Sequence, residues 1–388
     1  MKTTKIRLLL ALGLVGGLTG ARAQTFSSGS DGSYGPMNIT ANTTLDLPAD
    51  GVFHCTTITI ASGVTLTFNR NPLNTPVYLL ATGAVTVNGD IVVSGISGNN
   101  VVGGLAGPGG FNGGNPASVS TPPGDGYGPG AGRAGTAGQG NVAQSAGPGG
   151  YAFESSTLST NKGAAYGSAL LIPLVGGSGG GGTDGTPGYG GGGGGGAILI
   201  ASDSSIQFGN SSAEIKAQGG NSLNSLYVNG GSGGAIRLVA PLVSGNGALR
   251  VDGSNYGSAG RIRIDTLDRS AMSLSFSPAG ITSIGSLMTV FPTPAPRLDL
   301  IEVAGSTIAP GAPAVFTLPF GSTPSRTVVV KATDFNSMVP ISVVLTPDNG
   351  DRVVYEAQID NSASNPAQVT VNVELPVNVQ TAVNVWTR

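Results

Sequence analysis

Two stretches, Gly176-Gly177-Ser178-Gly179-Gly180 and Gly230-Gly231-Ser232-Gly233-Gly234, spell the G-x-S-x-G string that can set a nucleophilic serine on a strand-to-helix elbow. That chemistry needs a histidine after the serine in the chain, and the one histidine, His54, precedes both. With 66 glycines among 388 residues, such strings arise from composition alone. Ser159-Thr160-Asn161-Lys162 fits the S-x-x-K string of penicillin-recognising enzymes, without the S-D-N and K-T-G strings that complete such a site. Gly179 to Asp184 partly matches a calcium-binding nonapeptide. Those sites work as tandem arrays, Thr186 stands where a large apolar residue belongs, and a single carboxylate among glycines holds calcium poorly. One histidine and one cysteine fall short of the ligands an ordinary zinc site needs. The sequence therefore assigns no catalytic residue, no metal ligand and no cofactor.

The strongest polar pattern is of another kind. Arg261, Arg263 and Asp265 alternate with Ile262 and Ile264, so the three polar side chains share the face opposite the isoleucines, which is expected to be the outward one. An internal repeat sets Arg237 beside Arg263, and sets Lys216 beside Arg250 and Gln218 beside Asp252 in a second column. Adjacent strands stand about 4.8 Å apart. Like charges at that spacing repel by roughly 1 kcal/mol or less in water, and Asp265 and Asp252 are available as diagonal partners. Such columns serve as a solvated face, as a groove for an anionic glycan, or as a catalytic site. On the second reading the ligand-binding residues are Arg237, Arg263, Asp265, Lys216, Arg250 and Asp252.

The elements that must hold these residues are strands. Thr57-Ile58-Thr59-Ile60 and Val64-Thr65-Leu66-Thr67-Phe68 alternate polar and apolar, and the rhythm returns in Val77 to Ala81, Ala84 to Val87 and Asp90 to Val93. The short turns between them, Asn88-Gly89 among them, suit either hairpins or the corners of a coil. The repeat favours the coil. Gly196-Ala197-Ile198-Leu199-Ile200, Gly234-Ala235-Ile236-Arg237-Leu238 and Gly260-Arg261-Ile262-Arg263-Ile264 recur at 38 and 26 residues, a period of stacked units that cover one another's apolar faces. From Gly95 to Gly196 lie 37 of the 66 glycines. This segment reads as a long excursion from the coil, or else as glycine runs packed against it where absent side chains allow close backbone approach. Tyr151 to Val175 has the apolar residues to anchor its middle. Phe291 to Pro296 is a stiff linker. Beyond it come seven short apolar runs: Leu298 to Val303, Ala314 to Leu318, Thr327 to Val330, Ile341 to Leu345, Val353 to Ile359, Val369 to Leu375 and Ala382 to Trp386. They suggest an immunoglobulin-like sandwich, with Asp348-Asn349-Gly350-Asp351 as its hairpin turn. Cys55 in its alternating strand reads as a small buried hydrophobe, and Trp386 as a core plug.

Lys2, Lys5 and Arg7, the apolar run Leu8 to Leu18, and Ala21-Arg22-Ala23 make a secretory signal peptide cleaved before Gln24. Removing it takes four of the 18 basic residues and leaves 14 against 20 acidic ones, a formal charge of −6, which argues against a nucleic-acid partner. Neither a lipid acceptor cysteine after the cleavage point nor an apolar C-terminus is present, so a soluble mature protein without a transmembrane segment is expected.

Gly233 to Pro241 and Ala259 to Asp265 resemble rungs of glycine-rich secreted bacterial proteins of the right-handed parallel β-helix, or pectin-lyase-like, class. The resemblance covers roughly Thr43 to Asp265, and it implies an all-β chain. Its expected parts are a signal peptide (1–23), a parallel β-solenoid (24–290, with the glycine-rich excursion at 97–195), a Pro-rich linker (291–297) and a small immunoglobulin-like β-sandwich (298–388). Members of the class include polysaccharide lyases and hydrolases as well as adhesins, so the fold does not give the function. The Asp-Asp, Asn-x-Asp and Gly-His-Gly strings of the class's glycosidases are missing here. The expected role is a non-catalytic extracellular or cell-surface structural or adhesive protein that contacts extracellular polysaccharide or cell-surface components. The alternative is a polysaccharide lyase or glycoside hydrolase.

Overall fold

The computed structural model describes residues 26–135, 146–155, 161–185, 188–223, 229–292, 294 and 296–387. The signal peptide with its cleavage point, Ser159 and Thr160 of the S-x-x-K string, Thr186, and Thr293 and Ala295 of the linker lie outside the described residues. Among the described residues no helix is long and apolar enough to cross a membrane.

Alternation of apolar and polar residues produces strands throughout. The first body holds β1 (Gly35–Ile39), β2 (Thr43–Asp46), β3 (Val52–Ile60), β4 (Thr65–Asn69), β5 (Val77–Ala81), β6 (Val85–Val87), β7 (Asp90–Val92), β8 (Ala197–Ser202), β9 (Ser205–Phe208), β10 (Glu214–Lys216), β11 (Ala235–Gly245), β12 (Ala248–Arg250), β13 (Arg261–Asp268), β14 (Ser275–Ser277) and β15 (Thr282–Gly285). They form two parallel sheets. The six-stranded one runs β14-β12-β10-β7-β4-β2, and the nine-stranded one runs β15-β13-β11-β8-β5-β3-β6-β9 with β1 beside β3. Long strands serve two partners: β3 pairs with β5 and then β6, and β11 pairs with β8 and, beyond Pro241, with β9. Ile198 faces Ile236, which faces Ile262, in register on β8, β11 and β13. Asn88-Gly89 makes no hairpin, since β6 and β7 belong to different sheets. The inward aliphatics of both sheets share one core. At roughly 1.5–3 kcal/mol per fully buried aliphatic side chain, such columns outweigh any exposed ion pair.

The expected solenoid with its glycine-rich excursion is corrected by what lies between β7 and β8. A solenoid is quasi-one-dimensional, and each unit touches only its neighbours. Here the glycine-rich segment is no excursion but an interior layer that binds to distant parts of the chain, so the chain is an all-β assembly of two parallel sheets and two antiparallel ones rather than a solenoid followed by a sandwich. Gly191 accepts a backbone hydrogen bond from Gly104 (2.8 Å) and donates to Gly114 (3.0 Å), while Gly192 accepts from Gly180 (3.0 Å) and donates to Asn229 (2.9 Å). The runs approach so closely that a Cβ on Gly113 would stand 2.0 Å from the Gly191 carbonyl oxygen. Glycine is needed because no side chain fits, which matches the second reading of this segment. Tyr151, Leu171 and Leu174 anchor it, as expected, against the outer face of the nine-stranded sheet, in a second core with Leu199, Val239 and Val290.

The C-terminal part contains β16 (Arg297–Val303), β17 (Ser306–Thr307), β18 (Val315–Phe316), β19 (Ser325–Thr333), β20 (Met338–Pro347), β21 (Val353–Asp360), β22 (Ala367–Glu374) and β23 (Thr381–Thr387). Each of the seven apolar runs contributes a strand, and β17 is added. Two four-stranded antiparallel sheets, β17-β16-β19-β22 and β18-β23-β20-β21, share one core, with Val328 and Val330 from the first and Ile341 and Val343 from the second. The two-sheet arrangement holds. The finer immunoglobulin-like assignment falls with the rest of the expected fold.

The β20–β21 turn docks on the glycine layer. Gly350 bridges Gly124, Asp348 accepts a hydrogen bond from the Tyr127 hydroxyl (3.0 Å), and Asp125 accepts one from the Arg352 amide (2.6 Å). Trp386 meets Phe111 edge to face at 5.1 Å.

Candidate functional site

The two charge columns stand in the expected register, Arg237 opposite Arg263 and Lys216 opposite Arg250. The first column faces away from the isoleucines, yet it is not at the surface. Arg237 and Asp265 are both 0% exposed. Their face is covered by the chain after β15: the Arg237 guanidinium donates to the Thr289 carbonyl (2.7 Å) and to Asp265 (3.2 Å), and Asp265 also accepts from Arg263 Nε (2.9 Å) and the Leu287 amide (2.9 Å). Arg261 donates to the carbonyls of Ala152 (3.2 Å) and Tyr166 (3.0 Å) and lies over the Tyr151 ring at 5.6 Å. Burial lowers the Arg237 pKa, and Asp265 opposes the shift. A guanidinium removed from water is tolerated only with partners on its donors, and this one has a carboxylate and carbonyls. Arg237 and Asp265 thus tie down a covering segment, and no glycan can reach them. This corrects the outward placement expected from alternation.

The second column does reach solvent, but its charges are already matched. Lys216 pairs with Asp90 (2.8 Å) and Glu214 (2.7 Å), Arg250 pairs with Glu214 (2.7 Å), and Asp252 accepts from Gln218 (3.1 Å) and Ser277 (2.6 Å). Burial works against ionised Glu214, but hydrogen bonds from Lys216 and Arg250 outweigh it and hold the carboxyl below its usual range. Glu214 was legible as the partner, because it sits two residues before Lys216 on the same face. The ladder is a satisfied surface.

The serines of the glycine strings are structural. Ser178 accepts from the Gly130 amide (3.0 Å), and its own amide donates to Ser232 Oγ (2.8 Å). Cys55 is fully buried, and desolvation pushes its thiol up to about 11, consistent with a small hydrophobe. Among the described residues no three His, Cys, Asp or Glu side chains gather as metal ligands would.

The cleft that sequence reasoning missed lies where the loop after β4 meets the glycine layer. It has a volume of about 510 Å³ and is lined by Arg70, Pro72, Phe111, Asn112 and Tyr127 together with Asn71, Asn74 and Gly110. Two asparagines set the loop. Asn71 Nδ2 donates to the Pro48 carbonyl (2.6 Å) and Thr75 Oγ1 (2.7 Å), while its Oδ1 accepts from the Thr75 amide (3.1 Å). Asn74, left-handed at φ +49°, donates to the Gly110 carbonyl (2.7 Å) and accepts from the Gly109 amide (3.2 Å), which bolts the loop to the layer. Across the cleft, Asn112 Oδ1 accepts from Arg70 Nη1 (2.8 Å) and from the Ala106 amide (3.0 Å). Among the described residues Arg70 has no carboxylate partner, unlike Lys216, Arg237, Arg250 and Arg263. Burial lowers its pKa. The Phe111 ring rests over Gly128, where a Cβ would stand 2.6 Å from the ring. Burial and Asp348 both raise the Tyr127 pKa. The cleft therefore offers a forked cation, an amide and aromatic walls. Set against known families, curated proteins and solved structures, the chain matches none of them.

Proposed function

We propose that this chain is exported and works outside the cell or on its surface as a non-catalytic structural or adhesive protein, in contact with polysaccharide or other cell-surface components. The observation that carries the reading is the glycine layer. An interior assembled from backbone hydrogen bonds, continued through the β20–β21 turn into the C-terminal sheets, devotes its sequence to shape. The charged ladder at the surface is internally matched, as suits a scaffold. The only cysteine is buried and poorly ionised, which fits a chain that must persist in an oxidising compartment. The residues Met1 to Ala23 supply the export signal.

The test is to fractionate cells that produce the full-length chain from its own start codon, and to sequence the N-terminus of the product. The expected result is protein at the surface or in the medium, beginning at Gln24. Cytoplasmic protein that retains Met1 would overturn the reading.

A further inference from the structure

We infer that the cleft between the loop after β4 and the glycine layer binds an acidic saccharide, with a hexuronate carboxylate on Arg70 and the sugar ring on Phe111. This rests on the reading of an extracellular binding protein and adds the ligand class.

The argument starts from Arg70. A guanidinium has five donors in a planar fork, suited to a carboxylate's two oxygens. One donor is engaged by Asn112, and that bond fixes the fork beside the cleft. The remaining charge is half-buried and faces no acidic side chain among the described residues, whereas Lys216, Arg237, Arg250 and Arg263 are paired with carboxylates and Arg261 is held by two carbonyls and the Tyr151 ring. Desolvation without a counter-charge is a cost that a bound anion removes. The rest of the lining narrows the class. Asn112 presents its amide edge, its Oδ1 being occupied by Arg70 and the Ala106 amide. Phe111 and Tyr127 add aromatic side chains to the lining, and Phe111, which also meets Trp386 edge to face, has its seat only because Gly128 has no side chain. A pyranose has an apolar face for a ring and hydroxyls for an amide, and a uronate adds the carboxylate for Arg70. A volume of about 510 Å³ is within the range of small-molecule sites.

The experiment measures binding of the mature protein to hexuronate oligosaccharides (oligogalacturonate, oligomannuronate and oligoglucuronate) and to neutral cello- and manno-oligosaccharides by calorimetry. Arg70→Gln, Arg70→Lys and Phe111→Leu are compared with the parent, with Arg250→Gln as a control on the ladder. Thermal unfolding confirms that each variant is folded. The expected result is that the parent binds at least one acidic series and prefers it to the neutral ones. Binding should weaken about tenfold or more in Arg70→Gln, the loss of one charge-assisted hydrogen bond. Raising salt from about 0.05 M to about 0.5 M should weaken the parent several-fold and leave Arg70→Gln nearly unaffected. Arg70→Lys should keep the salt dependence with reduced affinity, Phe111→Leu should weaken binding without changing the salt slope, and Arg250→Gln should match the parent. Folded Arg70→Gln that binds as the parent does, equal binding of neutral oligosaccharides, or no binding of any acidic series would overturn the inference. A surface protein that binds none of the acidic probes defeats this inference alone, whereas a cytoplasmic protein that binds them defeats the functional reading alone.

Discussion

A methyl group is the smallest side chain, and at Gly192 even that has no room. Its Cβ would stand 1.9 Å from the Gly220 carbonyl oxygen and 2.7 Å from the Gly231 nitrogen. Both obstacles are backbone, so no rotamer change relieves the clash, and the Gly192 amide is itself committed to the Asn229 carbonyl at 2.9 Å. Overpacking against a flexible core costs about 1–3 kcal/mol, and a rigid backbone layer puts the cost at the top of that range or beyond it. Gly280 is the contrast. Its φ of +88° disfavours other residues, but nothing lies within 4 Å of its Cβ position, and asparagine tolerates left-handed backbone better than most. In urea unfolding, Gly192→Ala is expected to lose about 3 kcal/mol or to accumulate no folded protein, and Gly280→Asn to lose about 1 kcal/mol or less. Equal midpoints for the two variants would mean that the layer yields.

At the scale of elements, the β20–β21 turn is held to the glycine layer by a carboxylate that has left water. Asp125 is 0% exposed, with its oxygens on the amides of Ala134 (2.6 Å) and Arg352 (2.6 Å). Desolvation raises its pKa above the usual 3.8, opposed by those two amides and by the Arg352 charge, and assisted by Asp351. The sign follows from linkage. A carboxyl whose folded pKa lies above its unfolded one holds its proton more readily when folded, so its ionised form is a penalty at higher pH that fades as pH falls through the folded value. Asp31, Glu214, Asp268 and Asp360 are shifted the other way and weaken the fold in acid, so the useful quantity is a difference. Parent minus Asp125→Asn is expected to gain stability as pH drops toward 3.8 from above, measured by denaturant midpoints over that window. A flat or falling difference would contradict the raised pKa. This turn was legible, since Asp348-Asn349-Gly350-Asp351 announces a hairpin and β20 and β21 pair on either side of it. The isoleucine column was legible for a similar reason, because a period of two fixes which side chains share a face. What period cannot reveal is a covering layer from elsewhere in the chain. Alternation set Arg237 opposite Ile236 correctly, but the carbonyls of Leu287 and Thr289 that bury it come after β15. Glycine hides more still, since a residue without a side chain leaves no apolar pattern to read. The cleft at Arg70 exists only through Phe111 and Asn112 of the glycine-rich segment, so it could not be seen while that segment passed for an excursion.

For the whole molecule, the question is whether the parallel body and the C-terminal sheets part before either unfolds. Among the described residues the joint is made of the Tyr127 hydroxyl on Asp348, the Arg352 amide on Asp125, the Asn115 side chain on the Asp348 carbonyl, the backbone bonds around the Gly124–Gly350 bridge, and the ring contact of Phe111 with Trp386. Each sheet assembly has a core of its own, with Ile198, Ile236 and Ile262 in one and Val328, Val330, Ile341 and Val343 in the other. Contacts of this kind, at about 0.5–1.5 kcal/mol per hydrogen bond, fall well short of what either core supplies. Undocking should therefore precede unfolding once the joint is weakened. The chain carries a single tryptophan, Trp386, and it sits in the joint with its Nε1–H buried and without a hydrogen-bond partner among the described residues, so its emission reports the joint while far-UV circular dichroism reports the sheets. In the double variant Tyr127→Phe with Asp348→Ala, which removes the hydroxyl–carboxylate bond and leaves the strands untouched, the emission should shift to the red at a lower urea concentration than the one that melts the sheets. In the parent the two transitions should lie closer together. Coincident transitions in the variant would show instead that the glycine layer couples the two cores into one cooperative unit, and that the joint is stronger than its visible contacts.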